Sequence, residues 1–130
     1  MSGYIALIGR VGLAAIFILS GFFKYLTPDD TTAAIASVGI PMPDIAYWLT
    51  VALELGGGVL LIGGFQTRLV AFALCGFTLL TAFLFHYDFG DRMQMIMFMK
   101  NIAIAGGLLQ VVDFGGGERS IDARFFGKKE

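Results

Sequence analysis

The chain has 130 residues, of which 57% are hydrophobic and only 15% are charged, and its formal net charge is −1. A soluble domain carries roughly a quarter of its residues as charged side chains, so this composition excludes an ordinary soluble protein. Cys75 is the single cysteine, which excludes an intramolecular disulfide and a CxxC redox motif.

The apolar residues are gathered into four long blocks that are separated by short polar breaks. Each block is close to the ~20 residues that a helix needs to cross a hydrocarbon layer of ~30 Å. The blocks lack the polar–apolar alternation of a membrane β-barrel. We therefore predict an all-α polytopic membrane protein, an antiparallel four-helix bundle forming one domain over residues 1–130, with spans at Tyr4–Leu26, Ile45–Gly64, Leu69–Tyr87 and Met93–Val112.

The first block is predicted to remain as a helix, because it has neither the basic leader nor the cleavage site of a signal peptide. At about 100° per residue, Arg10, Phe17, Gly21 and Lys24 fall on one stripe of this helix. The stripe could face the interior of the bundle. Alternatively, Arg10 and Lys24 extend along the lipid toward opposite membrane surfaces.

The longest connection, residues 27–44, contains signals for a short additional helix. Pro28 ends the first span or opens a new helix, and Asp29–Thr31 supply capping residues. We predict a short helix over Thr32–Val38 that lies at, or dips into, the outer membrane interface. Residues 39–44 then force a turn before the second span. An ordinary exposed loop is the alternative.

Glu54 in the second block and Lys100 in the fourth are the most informative residues of the chain. A charge near the middle of a span costs about 2.5–3.5 kcal/mol by insertion scales, so it normally finds a partner or marks a functional site. Both residues lie on helix faces with small residues, and their depths differ by only ~5 Å at ~1.5 Å per residue. Glu54 and Lys100 could therefore form an ion pair if the second and fourth spans approach each other across the bundle.

His86 closes the third block in line with Cys75 and Thr78. It could relay protons to a ligand or to the possible ion pair, or it could be an interfacial histidine that contacts headgroups and water. Cys75 is expected to be a small packing residue. The fourth block opens with methionines at a spacing of two, which places neighbours on different helix faces, so we expect packing rather than a copper site: Met93, Met95, Met97 and Met99.

Basic residues are concentrated on the side of the bundle that holds both termini: Arg68, Arg119, Arg124, Lys128 and Lys129. The positive-inside rule therefore predicts that both termini are cytoplasmic. The tail, residues 113–130, begins with a phenylalanine and three glycines. We predict a flexible strip at the membrane surface.

Several segments resemble the DoxX family of small four-span membrane proteins. They are Arg10–Phe17 with Ser20–Lys24, Gly39–Pro43, Glu54–Gly58 with Gly64–Arg68, Lys100-Asn101 with Ala105–Leu109, and Ser120-Ile121-Asp122, where the family often has Ser-Leu-Asp. The resemblance implies a bacterial inner-membrane bundle. It also implies association with respiratory redox, as in subunits of quinol oxidase or thiosulfate:quinone oxidoreductase and in oxidative-stress complexes. It supplies no established catalytic triad or cofactor.

We expect an accessory subunit or small binding module of a membrane redox assembly. Its polar pocket would hold a quinone or a lipid headgroup, and the candidate residues are Arg10, Glu54, His86, Lys100 and Asn101, with Lys24 secondary. We expect no metal, no covalently bound cofactor and no nucleic-acid partner, and any oxidoreductase role would be as a subunit. The expected partners are the lipid bilayer and membrane proteins of the assembly. The sequence is also consistent with a homo-oligomer.

Two other functions remain open at this point. The chain could be a structural scaffold or partner-binding subunit in which the Glu54–Lys100 pair fixes the register of the bundle. A small transporter is the third possibility, although the sequence shows neither broken helices nor inverted repeats.

Overall fold

The computed structural model describes residues 3–126, apart from the side chain of Phe126. Residues 127–130 lie outside the described part. They include Lys128 and Lys129, two of the basic residues on which the predicted orientation rests. The described residues form the helices α1 Tyr4–Leu26, α2 Pro28–Ser37, α3 Pro43–Gly63, α4 Thr67–Phe85, α5 Arg92–Phe114 and α6 Ile121–Phe126. Four of them, α1, α3, α4 and α5, are long and apolar enough to cross a membrane. The predicted all-α four-span bundle with a short helix after the first span is confirmed.

Local sequence explains where the helices begin and end. Both α2 and α3 have a proline at their first position, where the missing amide hydrogen has no intrahelical partner to lose. For this reason α2 begins at Pro28, earlier than predicted. Gly64 ends α3 in a left-handed conformation with φ of 73°, which glycine adopts without steric cost. The observed ends of the spans differ from the predicted ends by at most two residues.

The four long helices pack as two close pairs, α1 with α3 and α4 with α5. Glycines allow the first pair to approach closely, as is usual between helices in lipid. A Cβ atom added at Gly58 would lie 2.5 Å from Ile18 Cγ1, and one added at Gly21 would lie 3.0 Å from Glu54 Cβ. Contacts between α3 and α4 and between α1 and α5 join the two pairs less extensively.

The apolar core occupies one half of the bundle. We call the end that carries Gly3, the α3–α4 link and residues 115–126 the tail end, and the opposite end the α2 end. The core side chains lie toward the tail end: Ala14, Phe17, Leu61, Val70, Ala71, Leu74, Cys75, Ala105 and Leu108. A smaller cluster of Ile35, Tyr47 and Val51 attaches α2 to α3. Toward the α2 end, the space between the two helix pairs is a cavity instead of a core.

Residues 115–126 fold back onto the bundle, so the prediction of a flexible tail is wrong for its described part. The amide of Asp122 donates to the carbonyl of Gly64 across 2.9 Å. Its carboxylate accepts hydrogen bonds from the amides of Gln66 and Thr67 at 2.7 and 2.8 Å. These amides open α4 and have no partner within that helix, so the tail supplies what the helix end lacks.

Candidate functional site

A cavity of about 620 Å³ lies between the helix pairs toward the α2 end. Small-molecule sites typically enclose about 300–1,000 Å³ with mostly apolar walls and a few polar groups, and this cavity has both properties. Its walls include Phe77, Leu84 and Ile104, and Ile35 of α2 lies at its end. Five of the predicted site residues line it together: Lys24, Glu54, His86, Lys100 and Asn101.

Lys24 and Glu54 form a salt bridge with an Nζ–Oε1 distance of 2.8 Å. The ammonium also donates to Ser20 Oγ at 2.8 Å. The Glu54 side chain is only 4% exposed, whereas that of Lys24 is 32% exposed. Tyr47 of α3 strengthens the same junction, because its hydroxyl donates to the Lys24 carbonyl at 3.0 Å. The pair therefore joins α1 to α3 deep in the α2 half of the bundle.

The possible Glu54–Lys100 ion pair is not formed within residues 3–126, because Lys24 is the partner of Glu54. The close approach of α1 and α3 at Gly21 places Lys24, one turn further along α1, beside the carboxylate. Lys100 belongs to α5, which packs mainly on α4. The α1 stripe of Arg10, Phe17 and Gly21 faces the bundle interior, as one of the two sequence alternatives predicted.

Lys100 is exposed to the cavity that it lines. It follows Arg92, the first residue of α5, by eight positions, which corresponds to about 12 Å along the helix. Within residues 3–126 its ammonium makes no hydrogen bond or salt bridge, although Glu54 lies within electrostatic reach. Lys100 is thus a cation at membrane depth whose hydrogen-bond donors are available to a ligand.

Hydrogen bonds to other side chains or backbone groups hold both Asn101 and His86. Asn101 Nδ2 donates to the Thr78 carbonyl at 3.2 Å and to Thr81 Oγ1 at 3.1 Å, which joins α5 to α4. His86 Nδ1 lies 2.9 Å from Gln94 Oε1 at the α2 end. These contacts fix the orientation of both side chains at the cavity wall. A proton relay from His86 to Glu54 stays a prediction.

Comparison with known proteins identifies the family. The sequence model of DoxX matches residues 5–87, well over half of the chain. The chain belongs to the DoxX family. Two relatives from Escherichia coli (strain K12) are similar to it along nearly their whole length. Inner membrane protein YqjF is 40% identical over 123 residues, which cover 95% of this chain and 92% of the relative. Inner membrane protein YphA is 38% identical over 123 residues, with 91% and 88% covered.

No solved structure matches the chain. The family, the relatives and the four apolar helices together make this DoxX protein a multi-pass protein of the inner membrane. Most of the polar residues that carry the DoxX resemblance lie in two regions of the structure. One is the cavity, with Lys24, Glu54, Lys100 and Asn101. The other is the tail end, with Arg10 and Asp122.

Arg10 of the DoxX protein lies at the tail end, apart from the cavity. Its side chain is buried, with 1% exposed. Nη1 donates to the carbonyls of Leu61 and Ile62 at 2.8 and 2.7 Å, Nε donates to Gly116 O at 3.0 Å, and Nη2 donates to Arg119 O. Both α3 carbonyls belong to its last turn, at the negative end of the helix dipole, and the Leu61 carbonyl also accepts from the Gly64 amide at 3.2 Å. Arg10 therefore closes the end of α3 and holds the tail.

Charged side chains also bind the ends of two other helices at the tail end. A cation binds the C-terminus of α5 and an anion binds the N-terminus of α4. Arg68 Nη1 donates to the carbonyl of Val112 near the end of α5, at 3.1 Å. Asp122 accepts from the Thr67 hydroxyl at 2.6 Å at the start of α4. Partial burial opposes ionisation of Asp122, but the hydrogen bonds from Thr67 and Gln66 and the charge of Arg10 outweigh it, so the pKa of this carboxyl is lowered.

Among the polar cavity residues that sequence reasoning missed, Ser20, Thr78 and Thr81 bind predicted site residues. Ser20 precedes Lys24 by four positions, a spacing that places two side chains on one helix face, so this partner carried a local signal. Thr78 and Thr81 carried no comparable signal, since they bind Asn101 on another helix.

Groups with metal-binding potential are scattered in the DoxX protein. Within residues 3–126, no three His, Cys, Asp or Glu side chains are placed to hold a metal ion together. Three methionines of α5, Met93, Met95 and Met99, are exposed on the helix surface. Cys75 is buried in the core, where its thiol lies 3.6 Å from the Ala105 carbonyl, as expected of a packing residue.

Proposed function

We propose that this protein is a binding module for an amphipathic molecule of the membrane, a quinone or a lipid headgroup, and that it serves as an accessory subunit of a membrane redox assembly. The observation that carries the proposal is the cavity, in which apolar walls surround Lys24, Glu54, Lys100 and Asn101 at membrane depth. Ionisable residues inside a membrane are rare and mark functional sites by default.

The donors of the cavity suit such a ligand. A quinone headgroup has apolar faces and two carbonyl acceptors at its edge, and a lipid headgroup has ester or phosphate oxygens. Lys100 can donate three hydrogen bonds, and its ammonium is not held by residues 3–126. Phe17, Phe77 and Phe85 lie in the same walls, where aromatic rings pack well on flat or apolar groups.

The proposed orientation follows from charge. Arg68, Arg119 and Arg124 lie at the tail end, and the positive-inside rule assigns such an end to the cytoplasm. The cavity would then lie in the outer half of the membrane. Fusing a reporter that works on only one side of the membrane to residue 130 tests the assignment.

A structural scaffold is the second candidate, because several polar contacts already join helices without any ligand. The Lys24–Glu54 pair connects α1 to α3, and Asn101 connects α5 to α4. In a scaffold these contacts would set the packing of the bundle, and bulk lipid would fill the cavity.

The two candidates differ in what the purified protein retains. We would extract it into native-lipid particles and identify the bound molecules by mass spectrometry. Thr50 lines the cavity, and Thr50→Phe would fill part of it. Ala52 lies on the same helix, is exposed and does not line the cavity, so Ala52→Phe is the matched control.

A binding module predicts a stoichiometric quinone or lipid in the wild type and in Ala52→Phe, and its loss in Thr50→Phe. Retention of only bulk lipid, unchanged by Thr50→Phe, would contradict binding and favour the scaffold. Co-isolated redox subunits would support the proposed assembly, and their absence from mildly extracted particles would count against it.

A further inference from the structure

Two of the four charged residues that line the cavity form a salt bridge with each other. Lys24 and Glu54 neutralise each other across 2.8 Å. Lys100 adds a second ammonium, and it forms no salt bridge within residues 3–126. Asp30 also lines the cavity, and like Lys100 it is exposed. It belongs to the short helix α2, whereas Lys100 lies eight positions into the span α5. His86, the remaining titratable lining residue, is held by Gln94. Lys100 is therefore a cation inside a span that forms no salt bridge with any described residue.

An unbalanced charge is unfavourable at this depth, because hydrocarbon and packed protein solvate ions poorly. Charged residues within spans accordingly pair with one another or line a polar path. The carboxylate of Glu54 already accepts a hydrogen bond from the ammonium of Lys24. The same ammonium also donates to the hydroxyl of Ser20. A neutral ligand would leave the charge of Lys100 uncompensated, whereas an anionic group would compensate it.

Building on the proposed function, we propose that the natural ligand is an amphiphile with an anionic headgroup, a carboxylate or a phosphate, that binds Lys100 while its apolar chain lies along the cavity walls. Lysine commonly binds such oxyanions as a point charge. Apolar side chains from three helices are placed to contact the chain: Leu49, Phe77, Leu80 and Ile104. The inference narrows the proposed ligand class and depends on the cavity being a binding site.

The test compares headgroups on the same apolar chain. Purified protein in nanodiscs of phosphatidylcholine would be titrated with a fluorescent fatty acid and with the fatty alcohol of equal length. Phosphatidylglycerol, inorganic phosphate and a quinone would serve as competitors. We expect the fatty acid to bind at least about tenfold more tightly than the alcohol, since charge-assisted hydrogen bonds are roughly twice as strong as neutral ones. Competition by phosphatidylglycerol would show that the site also binds phosphate headgroups.

Variants of α5 assign the preference to Lys100. Lys100→Met should bind acid and alcohol equally, and Lys100→Arg should keep the preference because it keeps the charge. Arg92→Gln removes a cation from the same helix outside the cavity, and it should behave as the wild type. Should Lys100→Met fail to fold, the wild type and Lys100→Arg still report the preference.

Other results would overturn the inference. Equal affinity for acid and alcohol in the wild type, or a preference that survives in Lys100→Met, would exclude Lys100 as an anion site. If inorganic phosphate binds as tightly as the amphiphiles, the apolar chain of the ligand does not contribute to binding. If quinone and alcohol bind as tightly as the acid and Thr50→Phe blocks them, the proposed function stands and this inference fails. If no amphiphile binds, both fail.

Discussion

Arg10 and Gly116 are separated by 106 positions, yet Arg10 Nε donates to the Gly116 carbonyl across 3.0 Å. The same guanidinium binds the carbonyls of Leu61 and Ile62. One buried side chain thus joins α1, the end of α3 and the segment after α5. Its partners are backbone carbonyls at a helix C-terminus, where a cation is favourable.

Replacing Arg10 by Met should lower the free energy of unfolding by about 3 kcal/mol or more, because several buried carbonyls lose a charged donor. The free energy of unfolding of Arg10→Lys should lie between those of Arg10→Met and the wild type, since lysine keeps the charge without the planar fork of donors. Thermal unfolding in detergent measures the effect. Arg124→Gln, an exposed change at the same end, is the control. Wild-type stability of Arg10→Met would show that these hydrogen bonds are unimportant.

The Lys24–Glu54 pair predicts a non-additive double mutant. Glu54→Gln or Lys24→Met alone should cost about 3 kcal/mol, the lower end for buried pairs because Lys24 is partly exposed. The double variant should cost less than the sum of the two, since neither charge is left alone. Lys100→Met breaks no salt bridge and should not lower stability. A cost for Lys100→Met as large as that for Lys24→Met would contradict the pairing.

Asp122 predicts that stability depends on acid pH. Its pKa is lowered in the folded protein, so its stabilising contribution is present at neutral pH. That contribution is lost as pH falls below the ordinary Asp pKa of about 3.9 and through the lower folded pKa.

Asp122→Asn should therefore be less stable than the wild type near pH 7, by roughly 1 kcal/mol as for other helix caps. The difference should shrink as the pH falls below about 4. Unfolding measured from pH 3 to 7 checks this, with Asp113→Asn as an exposed control at the same end. A difference that is constant over the whole range would mean that the charge of Asp122 is not involved.

Two glycines on opposite faces of α3 should respond in opposite ways to substitution by alanine. A Cβ at Gly58 would meet Ile18 Cγ1 at 2.5 Å, so Gly58→Ala should separate α1 from α3 and cost about 1–3 kcal/mol. A Cβ at Gly56 would meet nothing within 4 Å, so Gly56→Ala should be neutral or stabilising by up to about 1 kcal/mol. The two unfolding temperatures measure the contrast, and equal effects would refute the close packing.

The spans could be predicted from the sequence because hydrophobicity over about twenty residues is a local property. The partner of Glu54 could not be predicted from the sequence. A helical wheel and an insertion depth tell which face a residue occupies, but they do not tell which helix lies next to it. Lys100 satisfied both criteria, whereas Lys24 shared only the interior-facing stripe and lay near the outer end of the first span. The close approach of α1 and α3 at Gly21 nevertheless makes Lys24 the partner.

The tail end was still less accessible to sequence reasoning. Residues 115–117 are three glycines, a composition that is typical of flexible segments. In the structure Gly115 and Gly117 have φ values of 78° and 86°, which glycine adopts readily, and the turn they make leads Asp122 to Thr67. Contacts between residues 55 positions apart leave no local pattern that could reveal them.

The hydrogen bonds of Arg10 also impose an order on biosynthesis. When a ribosome has completed α1, none of the acceptors of Arg10 has been made, because Leu61 and Gly116 follow it by 51 and 106 positions. The guanidinium can bind the α3 carbonyls only after α3 has been made, and the Gly116 carbonyl only after the last span has been made. A nascent chain interrupted before Gly116 would keep this cation incompletely bonded, which distinguishes an unfinished chain from a finished one.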